Sequence, residues 1–141
     1  MARPRRARVV VLELATQLGQ EVRKLTAHTS ITEQGRLCRQ IDDAVDNVSR
    51  NIAQALEADR DHEFVRHIRL ARGSATAVRD GLQTALIRRC LSEKELRAVR
   101  LVLGQLYPAL TSLLVSTANF QSETPGRSPS CTRPSATSSR T

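Results

Sequence analysis

The segment from Phe64 to Ala85 carries an apolar or small residue at alternating steps of four and three. The positions are Phe64, Ile68, Ala71, Ala75, Val78, Leu82 and Ala85. This spacing follows the turn of an α-helix and places one continuous stripe along its side. Because such a stripe is stable only when it is covered, the segment predicts a helix that packs against other helices.

Three further segments have the same periodicity. Their stripes are Val11, Leu14, Ala15, Leu18, Val22 and Leu25; Leu37, Ile41, Ala44, Val48, Ile52 and Leu56; and Leu96, Val99, Leu103, Leu106, Leu110, Leu113 or Leu114, and Thr117. We therefore predict helices over residues 9–26, 31–57 and 62–89, and a fourth that begins near Ser92. Aromatic residues make up only 2% of the chain, which suits a core of aliphatic side chains between helices. The predicted fold class is all-α, a four-helix bundle.

Two strings fit the capping box, in which a Ser or Thr and a Glu three residues later bond each other's backbone amides. They are Ser30-Ile31-Thr32-Glu33 and Ser92-Glu93-Lys94-Glu95, and they predict the starts of the second and fourth helices. Asp61 is predicted to be the N-cap of the third helix.

Three residues in the middle of the chain are predicted to serve helix packing. Gly73 lies inside a helix, where glycine costs about 1 kcal/mol relative to alanine, so we expect a neighbouring backbone to approach it closely. Ser74 is expected to bond a carbonyl one turn earlier. Asn51 flanks the stripe of the second helix and is expected to set register with a partner helix.

The ends of the chain differ in composition from the middle. The net charge is +8, of which the arginines of residues 1–8 supply four and the tail from Ser122 supplies two. We predict a disordered basic arm over residues 1–8, a bundle over 9–120 and a disordered Ser/Thr/Pro-rich tail over 121–141. The arm either neutralises phosphates or serves as a solubilising tail.

The third helix carries Arg66, Arg69 and Arg72 beside its stripe. Arginines with this spacing can follow a phosphate backbone, or they can pair with an acidic cluster on the second helix, either across the bundle or across a subunit interface. That cluster is Asp42, Asp43 and Asp46. We favour the ion pairs. The candidate nucleic-acid-binding residues are Arg3, Arg5, Arg6, Arg8, Arg66, Arg69 and Arg72.

No catalytic or metal-binding constellation is recognisable, so we expect neither an enzyme nor a cofactor. His62-Glu63 and His67 resemble a zincin motif that is one residue too long, and its two imidazoles do not share a helix face. Three widely spaced cysteines favour free thiols. No run approaches the roughly 18 apolar residues of a membrane span. A cytoplasmic protein without membrane contact is therefore expected.

Four strings occur in a defined order: Leu37-x-x-Gln40-Ile41-x-x-Ala44, Asn51-Ile52-Ala53, Glu63-Phe64 and Ala71-Arg72-Gly73-Ser74. With Val11, Ala15, Leu18, Val22, Leu25-Thr26 and Glu33 before them, they resemble the bacterial four-helix-bundle proteins named for the intervening sequences of 23S ribosomal RNA genes. The resemblance implies an antiparallel up-and-down bundle that assembles into a ring, commonly a homopentamer. A relative of that fold is the accessory protein of diversity-generating retroelements, which binds a reverse transcriptase and nucleic acid. This family usually has Glu-Gly where this chain has Gln54-Ala55, which alters any binding surface formed there.

Two functional hypotheses follow. The first is a non-catalytic oligomeric protein that acts as a scaffold for RNA or DNA, or as an accessory to a nucleic-acid enzyme such as a reverse transcriptase. The alternative is a protein–protein interaction module with no nucleic-acid binding. Excess apolar surface on the fourth helix, which we expect at Leu101, Val102 and Tyr107, favours self-association in either case.

Overall fold

A computed structural model describes residues 5–27 and 34–122, and within these ranges it describes the side chains of 6–27 and 34–117. The described residues form four helices and no strand. The helices are α1 (Arg5–Thr26), α2 (Gly35–Glu57), α3 (Asp61–Ile87) and α4 (Glu93–Ser122). The predicted all-α class is confirmed.

Each helix packs against two others. α2 lies between α1 and α3, and α4 packs against both α3 and α1, which closes the bundle. The connections from α2 to α3 and from α3 to α4 are short, so consecutive helices run antiparallel. α1 and α3 therefore lie diagonally opposite each other and point the same way. This arrangement confirms the antiparallel up-and-down four-helix bundle.

The apolar stripes meet in one core. All seven stripe residues of α3 are buried, and Phe64 is fully enclosed. The stripes of the other three helices are buried as predicted, except that Leu25, Leu56 and Leu114 are only partly covered. The core also contains Val45, Ala55 and Val102. Because Ala55 is buried, only Gln54 of the altered pair lies at the surface.

Some helix boundaries differ from the predictions. α1 begins at Arg5 rather than Val9, because arginine favours helix and because Arg8 is anchored to α2. α2 begins at Gly35 rather than Ile31, since Gln34 has a non-helical backbone. α4 continues through Ser122, two residues into the predicted tail. Residues 1–4, the capping box at 30–33 and residues 123–141 lie outside the described residues.

The two other cap predictions have opposite outcomes. The box at Ser92 is confirmed: its amide donates to Glu95 Oε1 at 2.8 Å, and the Glu95 amide donates to Ser92 Oγ at 3.2 Å. The prediction for Asp61 is wrong, because the N-cap is Arg60 and Asp61 is the first helical residue. There its charge still faces the positive end of the helix dipole.

A Schellman motif ends α3. The amide of Cys90 donates to Ala85 O at 2.8 Å, and the amide of Arg89 donates to Leu86 O at 3.0 Å. Arg89 has a φ of 61°, the left-handed conformation that glycine usually adopts at this position. The motif turns the chain sharply and buries Cys90 at the base of the bundle.

The close contact predicted at Gly73 is wrong for this chain. A Cβ placed on Gly73 meets nothing within 4 Å, because the residue lies on the outer side of α3. The close approach occurs instead at Gly81, where a Cβ would lie 2.7 Å from Ile41 Cγ1 on α2. Since Ile41 is fully buried, it has little room to move. Gly81 therefore sets how closely α2 and α3 pack.

The other two packing residues also separate. Asn51 lies at the junction of α2 and α3, with its Oδ1 3.3 Å from His67 Nδ1 and its Nδ2 donating to Asn47 O at 2.9 Å. This contact links two helices, as expected of a register residue. The backbone bond predicted for Ser74 is absent from the part of the chain that the structure describes, whereas Thr76 donates to Arg72 O at 3.1 Å.

Alanine at the two glycines should have opposite effects on stability. Gly81→Ala should lower the free energy of unfolding by about 1 kcal/mol, because overpacking at Ile41 costs roughly 1–3 kcal/mol and helix propensity returns only about 1. Gly73→Ala should raise it by about 0.5–1 kcal/mol, because only the propensity gain remains. Urea denaturation measures both free energies of unfolding. Equal stabilisation by the two substitutions would show that α2 and α3 do not make a close contact at Gly81.

Candidate nucleic-acid interface

The outer face of α3 presents two free guanidinium groups. Arg66 and Arg69 are exposed one turn apart, and neither pairs with a carboxylate among the described residues. The closest polar neighbour of Arg66 is the ring of His67, with Nη2 3.5 Å from Nε2. Within the bundle, these two arginines therefore lack the ion pairs favoured from the sequence, and pairing across a subunit interface stays a prediction.

Arg72 has a different environment, although it belongs to the same predicted group. It is half-buried and its Nη1 donates to Thr111 Oγ1 on α4 at 3.4 Å. About two helical turns further on, Arg79 lies over the ring of Tyr107, 6.0 Å from the ring centre, and its Nη2 is 3.3 Å from Asp80 Oδ1. These two side chains tie α3 to α4, so they are less available to an external ligand.

Of the acidic cluster on α2, Asp46 faces α1 rather than α3, and Asp43 is exposed. Asp46 pairs with Arg23 on α1 at 2.9 Å, at an exposed position. Asp42 lies beside Cys38, whose Sγ is 3.9 Å from Asp42 Oδ2, while Asp42 Oδ1 is buried with no hydrogen-bond partner. Burial raises the pKa of the Cys38 thiol, and the negative charge of Asp42 raises it further. A raised pKa keeps this thiol protonated and unreactive.

The N-terminal arginines also divide by environment. Arg8 is half-buried and its Nη2 donates to Leu56 O in the last turn of α2 at 2.8 Å, where a cation favours the helix dipole. Arg6 is exposed on α1. The backbone of Arg5 is helical, and Arg3 lies outside the described residues. The structure thus places Arg6 at the same end of the bundle as Arg66 and Arg69, but on the diagonally opposite helix.

A second basic surface lies at the other end of α3, and the sequence did not single it out. It contains Arg36 in the first turn of α2 and Arg88 at the end of α3, which border one groove. Fifty-two positions separate them in the chain, so no local motif joins them. Only the antiparallel pairing of α2 and α3 shows that they are neighbours.

No catalytic arrangement emerges from the described residues. His67 contacts Asn51 rather than an acid, and the described part of the chain contains no group of three His, Cys, Asp or Glu side chains that could hold a metal ion. The buried polar residues are Thr26 and Thr117, and the Thr117 hydroxyl donates to Leu113 O within its own helix. The described interior is therefore filled by packed apolar side chains.

The exposed side of α4 is apolar. Leu101 is 65% exposed and Val115 is 52% exposed, and Pro108 lies exposed between them. Of the residues expected to add apolar surface, Val102 is buried, and Tyr107 is half-buried with its hydroxyl 3.0 Å from Thr76 Oγ1. Only Leu101 was correctly expected to be exposed.

Among the described helices, α4 alone is long and apolar enough over Glu93–Thr117 to cross a membrane by length and composition. Core helices of bundles meet the same criterion. Leu106 and Leu110 of this helix are fully buried against its neighbours.

A family model described as 23S rRNA-intervening sequence protein matches residues 7–112. The match covers α1 to α3 and most of α4, and it confirms the resemblance drawn from the ordered strings. No curated protein and no solved structure matches the chain.

The two N-terminal arginines should differ in their effect on stability. Arg8→Gln should lower the free energy of unfolding by about 1 kcal/mol, because it removes a charged donor from a helix-end carbonyl. Arg6→Gln removes the same charge from an exposed site and should leave stability unchanged. Thermal unfolding of both variants at one salt concentration measures the difference, and equal losses would indicate a general charge effect instead of the bond to Leu56.

Proposed function

The chain belongs to the 23S rRNA-intervening sequence protein family, and we propose that it is a non-catalytic, self-associating bundle that binds nucleic acid. Its role is that of a scaffold for RNA or DNA, or of an accessory to a nucleic-acid enzyme such as a reverse transcriptase. The family match supports the coarse assignment to small helical proteins named for an RNA element. The exposed arginines of α3 support the finer one.

The observation that carries the proposal is the absence of acidic partners for Arg66 and Arg69 among the described residues. A guanidinium is always charged at neutral pH and presents a planar set of donors that suits phosphate. Contact with phosphates releases counterions from the nucleic acid, which favours binding at low salt. Arg6 adds a third exposed arginine at the same end of the bundle.

Self-association is proposed through the outer side of α4. Leu101, Pro108 and Val115 follow each other at a spacing of seven residues, so they form a second apolar stripe opposite the one that faces the core. A second copy of the chain, with its own stripe or another apolar face, is the proposed cover. The ring of five subunits implied by the resemblance is the assembly we expect.

The alternative function is a protein–protein interaction module. The same α4 stripe supports it, since a different protein can cover an apolar helix face equally well. The two functions differ in their need for Arg66 and Arg69, which only nucleic-acid binding uses. Binding measurements on variants of these residues therefore separate them.

Arg66→Gln/Arg69→Gln should weaken binding to a fluorescent 24-base-pair RNA or DNA duplex. The salt dependence should also flatten, with the slope of log K against log salt falling by about 0.9 for each phosphate that the variant no longer neutralises. Fluorescence anisotropy between low and moderate salt measures both quantities.

Arg72→Gln is the partly buried comparison for that experiment. It should reduce binding less than either exposed arginine does, and it should lower stability because its bond to Thr111 is broken. A wild-type protein that binds neither duplex would leave the interaction module as the function. Equal losses for Arg72→Gln alone and for the double variant would show that the exposed pair is not the site.

Leu101→Gln/Val115→Gln should reduce the mass of the protein in solution, measured by light scattering after gel filtration. Ile87→Gln is the matched control, because Ile87 is 72% exposed on α3 and lies outside the α4 stripe. The control should keep the wild-type mass. A wild-type monomer, or a double variant with unchanged mass, would contradict assembly through this stripe.

A further inference from the structure

A groove of about 890 Å³ runs between the first turn of α2 and the last turns of α3. Its floor includes Ala77 and Gly81, whose small size leaves the space open. Its rim is polar and carries Gln34, Arg36, Gln40, Thr84 and Arg88. The close approach of Gly81 to Ile41 fixes the depth of the groove, because it sets the spacing of the two helices.

The charge of this groove is positive. Arg36 is exposed and has no hydrogen-bond or ion-pair partner among the described residues. Arg88 donates from Nη1 to the neutral Gln34 Oε1 at 3.2 Å, which holds its guanidinium across the groove. The one acid that lines the groove, Asp80, is already paired with Arg79 at 3.3 Å. Two guanidinium groups are therefore available to an anion.

The lining indicates which part of a nucleic acid fits. None of the residues that line the groove is aromatic. Phe64 is fully buried and the hydroxyl of the half-buried Tyr107 is hydrogen-bonded to Thr76, so the described side chains offer no fully exposed Phe or Tyr ring on which an unpaired base can stack. Guanidinium, amide and hydroxyl groups instead suit phosphate oxygens and sugar hydroxyls.

The groove also lies further along α3 from Arg66 and Arg69. Arg69 lies within α3 and Arg88 is its C-cap, 19 residues later. At a rise of 1.5 Å per residue, the two positions are about 29 Å apart along the helix axis. One turn of a duplex is about 34–36 Å long, so the two surfaces have nearly the spacing of one turn. Between Arg66 and Arg88 the only acid is Asp80, and the outer face of α3 includes the small residues Gly73 and Ala77.

We propose that the Arg36–Arg88 groove binds the phosphodiester backbone of a double-helical nucleic acid that lies along the outer face of α3. The duplex contacts Arg66 and Arg69 about one turn away. Recognition is by shape and charge, and it is independent of base sequence. This inference rests on the proposed nucleic-acid function and adds a second site and a preference for duplexes.

The test compares three double variants on the same fluorescent 24-base-pair duplexes. Arg36→Gln/Arg88→Gln should weaken binding about tenfold and lower the salt slope by about 1.8, which corresponds to two phosphates that are no longer neutralised. Arg66→Gln/Arg69→Gln should have a similar effect. Arg50→Gln/Arg97→Gln removes the same charge from exposed positions outside both surfaces and should change affinity less than twofold. Arg36→Gln alone, which breaks no contact in the described structure, should give an intermediate loss.

Length and strand dependence provide the second part of the test. A 6-base-pair duplex is too short to reach both surfaces and should bind much more weakly than the 24-base-pair duplex. A single strand of 24 nucleotides should also bind more weakly, and scrambling the duplex sequence should have no effect. A nucleoside 5′-monophosphate, titrated by calorimetry, should show no binding.

Each contrary result has a distinct meaning. If the wild type binds duplexes but Arg36→Gln/Arg88→Gln binds them equally well, the groove is not a site and the proposed function stands. If the Arg50→Gln/Arg97→Gln control loses as much affinity, only net charge matters and the groove is again excluded. Tight binding of the mononucleotide would make the groove a nucleotide pocket. A wild type that binds no nucleic acid would overturn both this inference and the function on which it rests.

Discussion

The bundle depends on burying four narrow stripes made almost entirely of aliphatic side chains. Among the described side chains, Phe64 is the only aromatic one that is fully buried, and small residues such as Ala71 and Ala75 let the helices approach closely. At Gly81 the contact with Ile41 leaves no room even for a methyl group. A core packed in this way tolerates few polar groups, because each would need a partner inside it. The candidate interaction sites therefore lie on the surface of the described helices.

On that surface, the environment of each arginine decides what it can do. The guanidinium groups of Arg8 and Arg72 donate hydrogen bonds to neighbouring helices, and these bonds help to hold the bundle together. Arg36 and Arg69 have no partner in the described structure, and their full charge faces solvent. The arginines thus divide into those that bond to a neighbouring helix and those that are free to bind a ligand. The difference arises from the neighbouring helix and not from the local sequence.

The helical stripes were predictable because the 3.6-residue turn imposes a period that the sequence itself displays. The side-chain partners across the bundle were not predictable. The pairing of Asp46 with Arg23 of α1, for example, depends on how the two helices are rotated about their axes. The open surroundings of Gly73 and the close contact at Gly81 could both be predicted from the positions of these residues relative to the stripe. Gly73 lies two residues from both Ala71 and Ala75, which places it away from the stripe, whereas Gly81 adjoins Leu82 at the edge of the stripe. No local sequence pattern indicates that Arg36 and Arg88 are neighbours, because they come together only through the pairing of α2 with α3.

The helical part of the chain, residues 5–122, has a net charge of +5 from 18 basic and 13 acidic residues, and these charges are distributed unevenly around the bundle. Several acids are neutralised locally: Asp46 by Arg23, Glu21 by Lys24, and Glu93 by Arg100, whose guanidinium also donates to Gln83 of α3. The outer face of α3 has no such compensation between Arg66 and Arg88 apart from Asp80. Interactions with a polyanion depend on the charges within about one Debye length, roughly 8–10 Å at physiological salt. A duplex lying on this face would therefore meet a positive surface, and the positive net charge of the bundle would add to the attraction.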